Sequence, residues 1–222
     1  MLEATLPTPL FDPAQDPTVV ALRDAPFAHA LAVYLELARD GDGGCADTPA
    51  LALREQARAG RLDQSHTAGL VAALHAAPNL LCVGHLAKAA AAIGRPAQAA
   101  AEPLVAHLEQ LPITDDVDYW SFDGALWALG FLGGNIANAC VHALAAEKPS
   151  RAVRSQSIYR GCMPKPRRAE LFAIALSNAT RLLHIPDPGV WRARFMTIKA
   201  PPQPTGPQRP SAARAWELRA TP

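Results

Sequence analysis

Three groups of residues have types and spacings that could support chemistry. Cys82 and His85 lie one helical turn apart, and a thiolate with an imidazole at this spacing is half of a zinc site. The sequence offers no matching second pair of ligands, so we expect a buried thiol near a packed imidazole. Ser65 and His66 are adjacent, but no Gly-x-Ser-x-Gly turn presents the hydroxyl as a nucleophile. The third group, the carboxylates of 115–118 followed by Asp123, superficially resembles Asp-rich magnesium motifs, but those motifs lie on a helix with matched partners, and this run is expected in a turn.

The acidic run has two other interpretations. It follows Pro112 in an expected turn between helices, where carboxylates cap and stabilise the next helix N-terminus. Alternatively it grips a basic partner protein, because charged residues around partly exposed aromatic side chains are common in interfaces. Trp127 and Phe131 lie four residues apart and are expected to pack in the core. The candidate partner-binding residues are Asp115, Asp116, Asp118, Tyr119 and Trp120.

Basic residues further along the chain form a second candidate surface. The stretch 165–168 opens a predicted helix, where positive charge is mildly unfavourable. This unfavourable placement of positive charge indicates that the residues contact a partner. The alternative is that they form a solvated face of the helix. The candidate contacts to phosphates or to an acidic partner are Arg151, Arg154, Arg160, Lys165, Arg167 and Arg168.

Charge is distributed unevenly along the chain. Residues 1–118 contain 7 Lys and Arg against 15 Asp and Glu, whereas residues 119–222 contain 14 against 5. The acidic half suits a basic partner protein and the basic half suits nucleic acid. However, the pI of about 7.8 for the whole chain is below the values above 9 that are usual for nucleic-acid-binding domains.

The elements that position these groups are predicted to be helices. Half of the residues are hydrophobic, aromatic residues are few, and alanine, which favours helices and close packing, is abundant. Apolar spacing predicts a helix over 80–93, a turn at Gly94 and a return helix over 97–111. The pattern recurs after 39 residues, so that Gly94 aligns with Gly133. A period of about 40 residues with two helices in each unit is typical of HEAT and armadillo arrays.

A family resemblance covers residues 80–146. The stretches 89–97 and 125–134 resemble the short HEAT repeats that are also seen in phycobilin lyases. The resemblance implies an all-α fold, a short right-handed α-solenoid of stacked antiparallel helical hairpins. In such repeats the return helices line a concave face. Repeats of this type specify packing and by themselves imply no activity.

The chain is predicted to have three parts. Residues 1–16 form an irregular lead-in, residues 17–185 the HEAT-like domain, and residues 186–222 a Pro-rich tail that is extended or disordered. No apolar run is long enough for a membrane span, and the N-terminus has no signal core. The four cysteines are widely spaced. We therefore expect a cytoplasmic protein with reduced thiols.

These observations favour a non-catalytic module that binds another protein, such as an adaptor or an immunity-type binder. The partner would carry a basic surface, and the sequence indicates no cofactor, metal or catalytic residue, which leaves an enzyme unsupported but not excluded. The alternative is a nucleic-acid-binding protein that resembles the HEAT-like DNA glycosylases and uses the basic half. An accessory lyase, based on the repeat resemblance alone, ranks third.

Overall fold

The computed structural model describes residues 13–40, 43–110, 116–146 and 165–185. These residues form nine α-helices joined by short 3-10 turns, and no strand occurs among them. None of the described helices is both long and apolar enough to cross a membrane. The helices are α1 (Pro17–Asp24), α2 (Phe27–Arg39), α3 (Gly43–Arg58), α4 (Thr67–His75), α5 (Leu80–Ile93), α6 (Ala101–Gln110), α7 (Asp116–Leu132), α8 (Gly134–Ala146) and α9 (Lys165–Leu183).

Local chemistry sets several of the helix ends. The carboxylate of Asp16 and the side-chain amide oxygen of Asn79 accept hydrogen bonds from main-chain N–H groups in the first turns of α1 and α5. Gly94 and Gly133 follow α5 and α7 with φ angles of 80° and 64°. Each donates its N–H to the carbonyl four residues earlier. Only glycine adopts this left-handed conformation without a steric penalty, so both helices stop where the repeat pattern predicts.

The return helix after Gly94 begins later than the pattern predicts. Residues Arg95–Ala100 form a 3-10 turn, and the α-helix starts at Ala101. Pro103 supplies the physical reason, because it lacks an N–H and would break a hydrogen bond inside a helix that began at Ala97. In the observed helix it lies in the first turn, where N–H groups have no partner within the helix.

The helices form two rows. Odd-numbered helices contact one another in the order α1, α3, α5, α7, α9, and even-numbered helices in the order α2, α4, α6, α8. Contacts are far more extensive in the odd row. The core between the rows consists mainly of alanine and leucine, and its largest fully buried side chains include Tyr34, Leu53, Leu86, Leu129 and Phe131.

Glycine permits the close approach of the odd-row helices. A Cβ atom on Gly84 of α5 would lie 2.8 Å from the Cβ atom of Ser121 on α7. A Cβ atom on Gly130 of α7 would lie 2.8 Å from the carbonyl oxygen of Ala179 on α9. Real Cβ atoms essentially never come this close to another heavy atom. The distance between these helices is therefore set by residues that have no side chain.

At several helix C-termini, side chains from other parts of the fold donate hydrogen bonds to main-chain carbonyls of the last turn. Gln56 Nε2 donates to the carbonyl of Leu22 at 2.8 Å, and His107 Nε2 donates to the carbonyl of Leu74 at 2.5 Å. Arg95 donates in the same way to carbonyls at the end of α9. A carbonyl that has lost its water needs such a partner, so these contacts join α3 to α1, α6 to α4, and the turn after α5 to α9.

We predict that Gly84→Ala and Gly130→Ala each lower the free energy of unfolding by about 1–3 kcal/mol, because the new methyl group overlaps a neighbouring helix. Gly124→Ala is the matched control on α7, since its Cβ atom would meet only the Cε atom of Lys88, at 3.5 Å. The control should be neutral or stabilising by up to about 1 kcal/mol. Urea denaturation followed by circular dichroism measures all three. Equal stability of the three variants would contradict the packing argument.

Candidate functional site

The structure corrects the position of the acidic run. The sequence placed it in a turn, whereas α7 already begins at Asp116. Asp116, Asp118, Tyr119 and Trp120 thus belong to the first turns of α7, while Asp115 lies outside the described residues. Carboxylates in this position interact favourably with the positive end of the helix dipole.

Further along α7, the two core aromatic residues differ in burial. Phe131 is fully buried, as predicted, and the partly exposed Trp127 packs against the same core. Trp127 lies seven residues after Trp120 and three after Gly124, which is also partly exposed. Positions at this spacing share one side of an α-helix. The side of α7 that contains Trp127 is therefore partly exposed.

Only part of the predicted basic surface lies within the described residues. Lys165, Arg167 and Arg168 occupy the first turn of α9, the helix predicted over this region. The other three candidates, Arg151, Arg154 and Arg160, lie outside the described residues.

A basic cluster in the acidic half of the chain was missed by the sequence reasoning. Five of the seven Lys and Arg residues in 1–118 lie around one buried carboxylate, that of Glu55. The spacing of Arg54, Arg58 and Arg61 at i, i+4 and i+7 was a signal in the sequence for one side of this cluster. The five residues, here called the basic cluster, are Arg23, Arg54, Arg58, Arg61 and Lys88.

Glu55 holds the centre of the basic cluster. Its side chain is 8% exposed, and its two carboxylate oxygens accept from different guanidinium groups. Arg54 Nη2 lies 2.6 Å from Oε1, and Arg58 Nη1 lies 3.1 Å from Oε2. A buried carboxylate is tolerated only when it is paired in this way. Glu55 therefore holds the side chains of both arginines in place on α3.

A second ion-pair group adjoins the first at the end of α1. Asp24 forms a fork with Arg23, at 2.9 Å to Nε and 3.0 Å to Nη2, and lies 3.5 Å from Arg61. The hydrogen bond from Arg23 lowers the pKa of Asp24 below its ordinary value. Together the two groups line an open cleft of about 360 Å³, whose residues are Arg23, Asp24, Glu55, Arg58, Ala59 and Arg61.

The positive field of the basic cluster extends to α5. Arg54 Nη1 lies 3.4 Å from His85 Nδ1. Burial, with the charges of Arg54 and Lys88, lowers the pKa of His85 well below its usual value, so this imidazole is neutral at pH 7. Burial and the nearby Arg54 lower the pKa of Lys88 to about 8, against a smaller opposing effect of Glu55. The charged forms of both basic groups on α5 are thus destabilised by their surroundings.

Cys82 and His85 do not face one site. Cys82 Sγ donates to Asp47 Oδ1 at 3.1 Å, and Asn79 Nδ2 donates to the same oxygen at 3.1 Å, whereas His85 faces Arg54. Burial raises the pKa of the Cys82 thiol, which keeps it protonated and unreactive. No group of three potential metal ligands is found within the described ranges.

Ser65 and His66 belong to a helix cap. The carboxylate of Asp63 accepts from the N–H of Ser65 at 2.9 Å and from its hydroxyl at 2.5 Å. The imidazole of His66 lies 3.1 Å from the N–H of Asp63 and completes a capping box. The hydrogen bonds from Ser65 lower the pKa of Asp63. The hydroxyl is thus engaged by the carboxylate rather than activated by the imidazole.

The geometry of the basic cluster suits anion binding. Guanidinium groups fixed by carboxylates present planar pairs of N–H donors, the arrangement that binds carboxylate and phosphate oxygens.

No family model, curated protein or solved structure matches the chain.

Lys88 gives a test of the electrostatics of the basic cluster. Its pKa is about 8 in the folded chain and near 10.5 when unfolded, so between these values the unfolded chain binds more protons. Stability therefore rises with pH in this window, by up to about 1.4 kcal/mol per pH unit from this residue. We predict that Lys88→Met is more stable than wild type at pH 7 by about 1–2 kcal/mol. This advantage should shrink from pH 8 to pH 10.

Urea denaturation at a series of pH values measures the effect. Subtraction of the two profiles isolates Lys88 from other groups that titrate there, such as Cys82. Arg39→Met is the control, because Arg39 is an exposed residue at the end of α2 and does not line the cleft of the basic cluster. Its profile should run parallel to wild type. A difference between Lys88→Met and wild type that stays constant with pH would contradict the lowered pKa.

Proposed function

We propose that this chain is a non-catalytic protein-binding module, of adaptor or immunity type, built as a short stack of HEAT-like helical hairpins. The repeat in the backbone supports the architecture. Gly94 and Gly133, 39 residues apart, follow α5 and α7 with positive φ angles, and each donates its N–H to the carbonyl four residues earlier. The apolar positions that align across this shift are buried in both helices, at Leu86, Ala89, Ala90 and Ile93 and at Ala125, Ala128, Leu129 and Leu132.

The packing of the two rows indicates which side of the stack is concave. A curved stack is most compressed along its inner row, and the odd-numbered helices are the more closely packed row. The proposed concave face therefore belongs to α3, α5 and α7, rather than to the return helices favoured by the sequence. The partly exposed residues of these three helices include Arg54, His85, Lys88 and Trp127.

The partly exposed Trp127 is the single observation that carries the proposal. A tryptophan on the face of a closely packed helix offers a large apolar surface on a rigid support, which is the usual property of an interface anchor. It shares its helix with Asp116, Asp118, Tyr119 and Trp120, the candidate partner-binding residues. By helical spacing, Asp116 and Trp120 lie on the same side of α7 as Trp127, and Asp118 lies on the opposite side, so the proposed acidic and aromatic surface for a basic partner extends around the first turns of α7.

We predict that replacement of Asp115, Asp116 and Asp118 by lysine lowers the amount of partner captured by about tenfold or more, because charge reversal opposes a basic partner. The tagged chain is used to capture proteins from its native cells, with and without nuclease, and the eluate is read by mass spectrometry. The matched control replaces three exposed carboxylates of even-numbered helices, those of Glu36, Glu102 and Glu109, by lysine. The control should retain the partner.

Two outcomes would count against the proposal. Equal capture by the α7 variant and the control would remove the acidic surface from the interface. Recovery of nucleic acid that is lost with nuclease or moderate salt would favour the alternative function. In that alternative the basic residues Lys165, Arg167 and Arg168 at the start of α9 contact phosphates, together with Arg151, Arg154 and Arg160.

A further inference from the structure

The cleft between the ends of α1 and α3 has the properties of a binding site for carboxylate groups. Arg23, Arg58 and Arg61 line it, and the last two side chains are 49% and 48% exposed. Each guanidinium has five N–H donors in a fixed plane. Arg58 contributes one of them to Glu55 within the described part of the chain. Most donors on the exposed side of Arg58 are therefore directed at solvent.

The arginines of the cleft are held in place by the protein before any ligand binds. Arg61 Nη1 donates to the carbonyl of Arg23 at 2.7 Å, and its Nη2 lies 3.5 Å from Asp24. Arg58 is fixed by the buried carboxylate of Glu55. Fixed side chains lose little conformational freedom on binding, so a ligand gains more from each contact.

Positive charge predominates here although the surrounding half of the chain is acidic. The cleft contains three arginines and two carboxylates, and Arg54 and Lys88 lie beside it. Five basic side chains thus surround the carboxylates of Asp24 and Glu55, in a segment with 7 basic and 15 acidic residues. Five basic side chains carry more positive charge than is needed to neutralise these two carboxylates.

We propose that this cleft binds an acidic segment of a protein partner, in which Asp or Glu side chains form forked hydrogen bonds with Arg58 and Arg61. The inference rests on the proposed function and adds a second surface, of opposite charge to the acidic and aromatic surface of α7. The half-exposed Asp24 favours a peptide over nucleic acid. A continuous phosphate backbone would pass next to this carboxylate, whereas a peptide places single carboxylates at separate points.

The test is fluorescence anisotropy of a labelled hexaglutamate peptide with the full chain. We expect binding that weakens as NaCl is raised, because the contacts are ionic. Arg58→Gln should reduce affinity about fivefold or more, and Arg58→Lys, which keeps the charge but loses the fork, should recover only part of it. Arg39→Gln is the matched control, since this exposed arginine of α2 does not line the cleft. Circular dichroism verifies that each variant is folded.

Three results would overturn the inference. They are the absence of peptide binding by the folded wild-type chain, an equal loss of affinity in Arg58→Gln and Arg39→Gln, and tighter binding of a single-stranded oligonucleotide of the same charge. The outcome is separable from that of the proposed function. Loss of peptide binding with partner capture retained would refute the cleft alone. Intact peptide binding with no effect of the α7 charge reversal on capture would refute the α7 surface alone.

Discussion

The close approach of α5, α7 and α9 is the constraint on which the rest of the structure depends. Backbones come into contact where Gly84 meets Ser121 and where Gly130 meets Ala179. Alanine is frequent among the other buried positions of these helices, and larger side chains such as Leu86, Leu129 and Phe131 fill the core beside the contacts. The odd-numbered helices are consequently closely packed, and the distances between them set the distances between the side chains on the solvent-facing side of this row.

Dense packing of helices also removes water from polar groups, which must then find partners within the protein. Gln56, Arg95 and His107 meet this need at helix C-termini by donating to carbonyls of neighbouring helices. Glu55 meets it with two arginines. The contacts of Gln56, Arg95 and His107 join residues that are 30 or more positions apart, and they connect the ends of helices whose sides are joined by apolar contacts. The polar side chains therefore help to specify which helix lies next to which.

The two proposed surfaces have opposite charge and lie on odd-row helices that are separated by α5. The proposed surface on α7 combines carboxylates with aromatic residues, whereas the ends of α1 and α3 present arginines held by Asp24 and Glu55. A partner with both acidic and basic segments would be oriented by this pair of surfaces, because the reversed orientation places like charges together. Mixed charge of this kind favours selectivity for one protein over general attraction to polyanions.

The sequence by itself determined the helical class and much of the helix register. Leu80–Ile93 and Lys165–Leu183 follow from apolar spacing with Gly94 and proline as boundaries, since these signals act within a few residues. The start of α7 and the delayed start of α6 were not predicted, because each depends on the competition between adjacent conformations. Only the tertiary structure decided that Arg23, Glu55 and Lys88 meet and that Trp127 stays partly exposed. Those facts depend on which helices are neighbours and how closely they pack, and a pattern of local spacing contains neither.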